Sequence, residues 1–244
     1  MDITENIINK NIRYDLEIIS EMIKPKSKVL DIGCGNGELL HFLKMQKNID
    51  GRGLEISQEK LTEAMKGGIS VIHGNADNDL SYYPDDSFDY AILSQTMQAT
   101  NNPKKILQEM LRIANFAIIS FPNFAYFQNR LHLAIKGTMP VNKNIPFQWF
   151  NTPNIHFCSI IDFEKLCQDL DFTIKKRLFL TNKKLLNKIL STQYLANLFA
   201  QYGIFLITKN QLCLTGEEVL VEEFSNNPLN NQILSPSPLN NIKQ

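Results

Sequence analysis

Apolar residues recur at steps of three and four through Ile7, Ile8, Ile12, Leu16, Ile19 and Ile23, the spacing of one buried face of an amphipathic helix that Pro25 closes. Short β-branched runs then alternate with helical segments. "KVLDIG" (28–33), "DGRGLEIS" (50–57), "SVIHG" (70–74), "FDYAILSQ" (88–95) and "FAIISFP" (116–122) read as strands. Helices are predicted from about Glu38 to Lys47, through Met65 before the Gly67-Gly68 stop, and from Pro103 to Ile113. Such alternation implies a mostly parallel sheet with helices on both faces. The stretch 122–157 reads as irregular and crowded with aromatics. Beyond it come a helix around 162–170, a strand over 172–181, a helical segment over 182–200 and a last strand at 203–208, making seven strands in all. The Asn/Pro/Ser-rich end, 216–244, predicts a disordered tail behind a single domain of residues 1–215.

Composition narrows the classes of function. The 25 basic and 25 acidic side chains balance, so no basic field points to nucleic acid. "FAIISF" and "GIFLI" are too short to cross a bilayer, and the acidic N-terminus lacks the apolar run of a signal peptide. Cys34, Cys158, Cys167 and Cys213 form no CxxC pair and no metal-type spacing. No metal site is expected, and a reduced, cytoplasmic setting is.

Chemistry concentrates in "VLDIGCGNGELL", residues 29–40. A dinucleotide fingerprint G-x-G-x-x-G needs a small residue where Glu38 stands, so that the helix can lie close on the strand. A phosphate loop fails for want of G-K-[ST]. S-adenosylmethionine, with an amino acid end in place of a phosphate, fits better. Asp31 would meet its ammonium, while the backbone of Gly33, Cys34, Gly35 and Gly37 and the following helix N-terminus would meet its carboxylate. Glu55, at the end of the second strand, would accept the ribose hydroxyls. Asp77, in "HGNAD", would accept from the adenine amino group. Ile56, Ala76 and Ser94 complete the candidate set.

No catalytic base is legible. "SQTMQAT" (94–100), after the fourth strand, is uncharged, and the Asn/Asp-Pro-Pro-Tyr motif of amino-group methylation is missing there. His156 is the best-placed histidine of the second half, with a bland role at a loop-to-helix junction as its alternative. His41 and His132 are expected on helix surfaces, and His73 beside the pocket. Phe147, Trp149, Phe150 and His156 are candidates for a lid or a partner surface, core being the alternative for these aromatics.

The stretches "IRYDLEIISEMIKPKSKVLDIGCGNGELL", "YYPDDSFDYAILSQTMQATNNPKKILQEMLRIANFAIISFPNF" and "GTMPVNKNIPFQWFNTPNIHFCSIIDFEKLC" resemble class I methyltransferase-fold proteins and, more narrowly, the MetW family of methionine biosynthesis proteins, over residues 12–208. The resemblance implies a Rossmann-like α/β fold and a site for S-adenosyl-L-methionine or S-adenosylhomocysteine. It also implies association with a homoserine O-acyltransferase, which such proteins support or activate. The chain has no G-x-S-x-G elbow, so it would be the partner and not the acyltransferase. The alternatives are a methyltransferase acting on an unidentified small molecule and, from a third class, a nucleotide-cofactor oxidoreductase. Asn36 and Asn75 stand where the family commonly has aspartate.

Overall fold

A computed structural model of the chain describes residues 13–142, 144–181, 184–185 and 192–210. The predicted disordered tail lies outside the described residues, as does the first half of the N-terminal helical pattern. Helix α1 (Tyr14–Glu21) carries the second half.

The strands are β1 (Lys28–Ile32), β2 (Asp50–Glu55), β3 (Ser70–His73), β4 (Phe88–Ser94), β5 (Ala114–Pro122), β6 (Phe172–Thr181), β7 (Lys184–Leu185) and β8 (Tyr202–Lys209). They form one sheet in the order β3-β2-β1-β4-β5-β8-β6-β7. The pairs among β1 to β5 are parallel, while β8 runs antiparallel to both β5 and β6. The seven expected strands are therefore present, and the two-residue β7 adds an eighth at the edge.

Helices α2 (Glu38–Lys47), α3 (Gln58–Lys66), α4 (Ala76–Asp79), α5 (Pro103–Ile113), α6 (Phe127–Lys136), α7 (Ile160–Asp169) and α8 (Gln193–Phe199) join the strands. Their boundaries follow local chemistry. Ser57 and Asn102 accept the backbone N–H of Lys60 and Lys105 as N-caps, and Ser159 with Asp162 forms a reciprocal capping box. Two expectations are corrected here. Part of the segment expected to be helical, Lys184–Leu185, instead turns back to pair with Leu180 and Thr181 of β6, and the helix described there is α8. The stretch 122–157 is not wholly irregular, because it contains α6. The apolar Leu131, Leu133 and Ile135 of α6 fall at alternate positions and are exposed, so no helical face shows in the sequence.

Alternation along the central strands supplies two cores. Val29, Tyr90, Ile92 and Ile118 face one, with α1 and α2; Leu30, Ala91, Leu93 and Ile119 face the other, with α5, α7 and α8. Phe121, Phe163 and Phe205 close the second core, with Phe163 and Phe205 ring centroids 4.7 Å apart. Strand order reverses between β1 and β4, and ligands of such sheets lie beyond the carboxyl ends at that switch.

One close contact sets the position of the β1–α2 turn. A Cβ built on Gly53 of β2 would stand 2.5 Å from Cys34 Sγ. Gly53→Ala should therefore cost about 1–3 kcal/mol of unfolding free energy. Adding Cys34→Ala should recover most of it, as read by urea denaturation.

Candidate functional site

The carboxyl ends of β1, β2 and β4 bring Asp31, Glu55 and Ser94 around the glycine turn. Three glycines of the turn adopt positive φ: Gly33 at 72°, Gly35 at 58° and Gly37 at 79°. Their surroundings differ. A Cβ on Gly33 would meet Thr96 Cγ2 at 2.6 Å, and one on Gly37 would meet Ala64 and Ile69 at 3.2 and 3.3 Å. At Gly35 a Cβ would meet nothing within 4 Å. Gly33 and Gly37 thus serve close approach within the protein, and Gly35 presents bare backbone to open space.

Glu55 is 5% exposed. Its Oε2 accepts Gly35 N at 2.8 Å and its Oε1 accepts Ser57 N at 2.8 Å. Each oxygen keeps a lone pair for a further donor, as ribose hydroxyls require. Asp31 is 3% exposed and accepts no hydrogen bond among the described residues. Burial pushes its carboxyl up to about 7, the Arg13 guanidinium pulls it back down, and Glu55 raises it further. A buried carboxyl without a donor suits an incoming cationic head.

Some sequence expectations change at this level. The N–H groups of Gly33 and Cys34 donate to Leu54 O at 2.7 and 3.2 Å, and Gly37 N donates to Cys34 O at 3.0 Å. With Gly35 N on Glu55, these donors are spent inside the protein and do not await a ligand carboxylate. Cys34 also turns its thiol against Gly53, where burial pushes it up to about 12. Anion-attracting donors remain in the first turn of α2, whose N-cap Gly37 provides no side-chain acceptor.

Asp77 does stand beyond β3, but its carboxylate already accepts Asn101 N, Asn101 Nδ2 and Asn102 N at 2.8–3.1 Å. Burial alone would raise its pKa; those hydrogen bonds and Lys105 outweigh it and leave the group below the usual range. Ala76 opens the same short helix, α4, and Asn75 caps it by accepting Asp77 N. Ile56 is largely exposed and so offers an apolar face beside Glu55, and its carbonyl lies 2.9 Å from His73 Nε2. His41 and His132 lie on helices as expected.

Sequence reasoning missed Arg13, Asp15 and Gln95. Arg13 grips Asp15 through Nε and Nη2 at 3.2 and 3.0 Å, and its Nη2 reaches Ser94 Oγ at 3.4 Å. Gln95, at a positive φ of 53°, donates through Nε2 to Asp15 Oδ2 at 2.8 Å. The uncharged segment after β4 thus receives a carboxylate from α1. No local pattern could announce a contact between residues so distant in sequence.

The lid and partner candidates lie in the connection between α6 and α7. Phe147, Trp149, Phe150 and His156 are exposed, with Trp149 at 72% and Phe150 at 69%. Ile155 N and His156 N donate to Gln98 O at 2.7 and 3.0 Å, which fastens their segment to the loop after β4. A cavity of about 170 Å³ opens there, lined by Gln98, His156, Cys158 and Asp162 with apolar neighbours. Among the described residues no cluster could hold a metal ion, and no helix is long and apolar enough to cross a membrane.

The model of the family described as "Methionine biosynthesis protein MetW" matches residues 13–207. The chain belongs to the MetW family. A relative from Rhodopirellula baltica, the bifunctional methionine biosynthesis protein MetXA/MetW, is 40% identical over 187 residues, covering 73% of this chain and 29% of its own length. The MetW chain therefore spans under a third of that relative. Among solved structures, an S-adenosylmethionine-dependent methyltransferase from Mesorhizobium loti superposes with a TM-score of 0.59 at 14% identity, covering 83% of this chain and all (100%) of the other. One from Thermotoga maritima, described as a possible histamine N-methyltransferase, gives 0.55 at 21% identity, covering 80% and 88%. At these identities the likeness establishes the fold, which is the Rossmann-like fold of S-adenosylmethionine-dependent methyltransferases.

The buried Asp31 makes a pH prediction. Its folded pKa lies above the unfolded value of about 4, so ionising it opposes folding progressively as pH rises from about 4 through about 7. Asp31→Asn should stabilise the protein by roughly 2–4 kcal/mol at pH 8 and by much less at pH 5. Denaturant unfolding at the two pH values measures the difference.

Proposed function

We propose that this MetW chain binds S-adenosylmethionine or S-adenosylhomocysteine at the β1–α2 turn and acts as an accessory partner of a homoserine O-acyltransferase. The observation that carries the partner role is the Rhodopirellula baltica relative, whose single chain bears both the MetXA and the MetW names. The sequence lacks a nucleophilic-serine elbow, so this chain acts on the acyltransferase by binding it. Three features support the ligand: the open backbone at Gly35, the Asp31 carboxyl without a donor among the described residues, and Glu55 with acceptor capacity left on both oxygens. Adenosylmethionine is made from methionine, so its binding to an accessory subunit of methionine synthesis gives feedback.

The exposed Trp149 and Phe150 are the anchors we assign to the partner surface. Large aromatics dominate protein interfaces when a partner buries them, and their own edge-to-face contact, 5.7 Å between centroids, presents them together. From Met110 through Ile161 the sequence has no Asp or Glu but has Arg112, Arg130, Lys136 and Lys143. An acidic rim on the partner complements such a segment.

A methyltransferase reading has an observation of its own. Asp15 supplies a carboxylate to the segment after β4, bonded to Gln95 directly and linked to Ser94 through Arg13. Both of its oxygens are held by Arg13 and Gln95, which weighs against service as a base. Transfer of labelled methyl to an extract metabolite would favour that reading.

The deciding experiment is the homoserine acylation rate of the purified acyltransferase of the same organism, with and without this chain. A clear rise is expected; no rise and no complex would overturn the partner role. Trp149→Ala should weaken the complex at least tenfold in a pull-down titration and leave adenosylmethionine binding unchanged. Gly35→Val should abolish adenosylmethionine binding in calorimetry, because its side chain fills the open face of the turn.

A further inference from the structure

The cavity beside the segment after β4 holds a polar atom without a partner among the described residues. It measures about 170 Å³ and shares no residue with the glycine turn. Met97, Gln98 and Phe163, each at most 3% exposed, form its floor; His156, Phe157 and Asp162 are exposed and form its rim. Gln98 is the one residue of that floor with a polar side chain. Its Oε1 is buried and accepts no hydrogen bond among the described residues. Three bonds nevertheless hold Gln98 in place. Its backbone oxygen accepts Ile155 N and His156 N at 2.7 and 3.0 Å, and its Nε2 donates to Pro122 O at 3.3 Å. Because a carbonyl oxygen can only accept, the amide nitrogen must face Pro122, and the amide oxygen is left for another donor. A buried acceptor without a donor costs free energy that an incoming donor recovers.

We propose that this cavity is a second small-molecule site, which takes a single apolar ring carrying one neutral donor, a hydroxyl or an N–H, bonded to Gln98 Oε1. It is independent of the ligand assigned to the β1–α2 turn. Size sets the ring: an apolar cavity of roughly 150 Å³ accommodates benzene, and this one is slightly larger. Phe157 and Phe163 supply aromatic surface and are themselves held by other rings. Phe157 packs on Phe124 with centroids 4.5 Å apart, and Phe163 packs on Phe205. Cys158 adds to the apolar wall, because burial pushes its thiol up to about 12 and keeps it neutral.

Charged ligands are disfavoured on two grounds. An ion beside Met97 and Phe163 would exchange its hydration for one neutral acceptor, which is an expensive trade. An anion also meets the Asp162 carboxylate at the rim, whose Oδ2 accepts Ser159 N and Oγ at 3.1 and 2.6 Å. The start of α7 does not compensate. Ile160 N there donates to Asn197 Oδ1 at 3.1 Å, and Asp162 N to Ser159 Oγ at 3.2 Å. Water is a poor occupant, because it needs roughly two to four polar partners and the side chains of the floor offer Gln98 alone. A neutral ring with a donor meets every condition at once: apolar walls, a fixed acceptor and no charge to desolvate.

The test is calorimetric titration of the full chain with three probes built on one ring: phenol, benzene and benzoate. The wild-type chain should bind phenol at least fivefold more tightly than benzene and at least tenfold more tightly than benzoate. Gln98→Met, which keeps the side-chain length and removes the acceptor, should bring phenol down to the benzene level with benzene held as in the wild type. Leu166→Phe, which fills the cavity from α7 and leaves Gln98 intact, should abolish binding of both. Thermal melts check that the two variants keep the fold. Equal affinity for phenol and benzene in the wild-type chain, or a phenol preference that survives Gln98→Met, would overturn the proposal. So would phenol binding that survives Leu166→Phe, or no phenol binding by the wild-type chain at millimolar concentration. Each of these outcomes leaves the reading of the β1–α2 turn untouched.

Discussion

The Glu55 carboxylate is the interaction on which the site depends. A carboxyl at 5% exposure is stabilised by donors, and here two backbone N–H groups supply them. Gly35 N fixes the turn between β1 and α2, and Ser57 N fixes the entry to α3. One side chain at the end of β2 thus sets two neighbouring strand-to-helix connections. Gly53, two residues earlier on the same strand, leaves room for Cys34 to turn inward. With the turn pinned from behind, Gly35 is left with bare backbone facing outward. The positive φ values at Gly33, Gly35 and Gly37 are the local cost of that geometry.

Charge around the turn comes from three places in the chain. Asp31 and Glu55 arrive on adjacent parallel strands, and neither is neutralised by the glycine motif. Arg13, at the N-cap, and Asp15 arrive with α1, which belongs to the core on one face of the sheet through Leu16, Ile18 and Ile19. Docking of α1 is therefore both a stability matter and an electrostatic one. The raised pKa of Asp31 expresses the balance: burial outweighs the help from Arg13. Holding an ionisable group at that expense costs stability, and a cationic head, as in the proposed reading, would recover it.

Between β5 and α7 the chain departs from the needs of its own core. Phe121 and Tyr126 are buried, whereas Phe147, Trp149, Phe150 and Phe157 are exposed. Helix α6 buries Asn129 and leaves Ile135 at 73% exposure. Polar links hold this connection: Asn142 Nδ2 donates to Asn129 Oδ1 at 2.8 Å, and Tyr202 OH donates to Asn144 Oδ1 at 3.1 Å. His156 Nε2 lies 3.4 Å from Asn101 O, and Asn101 in turn bonds Asp77. The segment ahead of α7 and the acid after β3 are thus linked through Asn101.

Local sequence determined the strands, most helix limits and the place of the glycine turn. Those features are written in short-range chemistry: alternation that feeds two cores from β4, caps at Ser57, Asn102 and Ser159, and glycines where φ must be positive. Asp31 and Glu55 are legible because they stand at the carboxyl ends of strands that the strand–helix alternation marks. Tertiary structure decided the rest. Helix α6 escaped notice because its apolar residues face outward, and β7 because pairing with β6 overrode the helical pattern. Which N–H groups remain for a ligand depended on Leu54 O and Glu55, contacts across strands that no window of sequence contains. The positive charge at the site came from Arg13, eighty-one positions from the serine it touches. Its place follows from where α1 docks, and docking is set by the whole sheet.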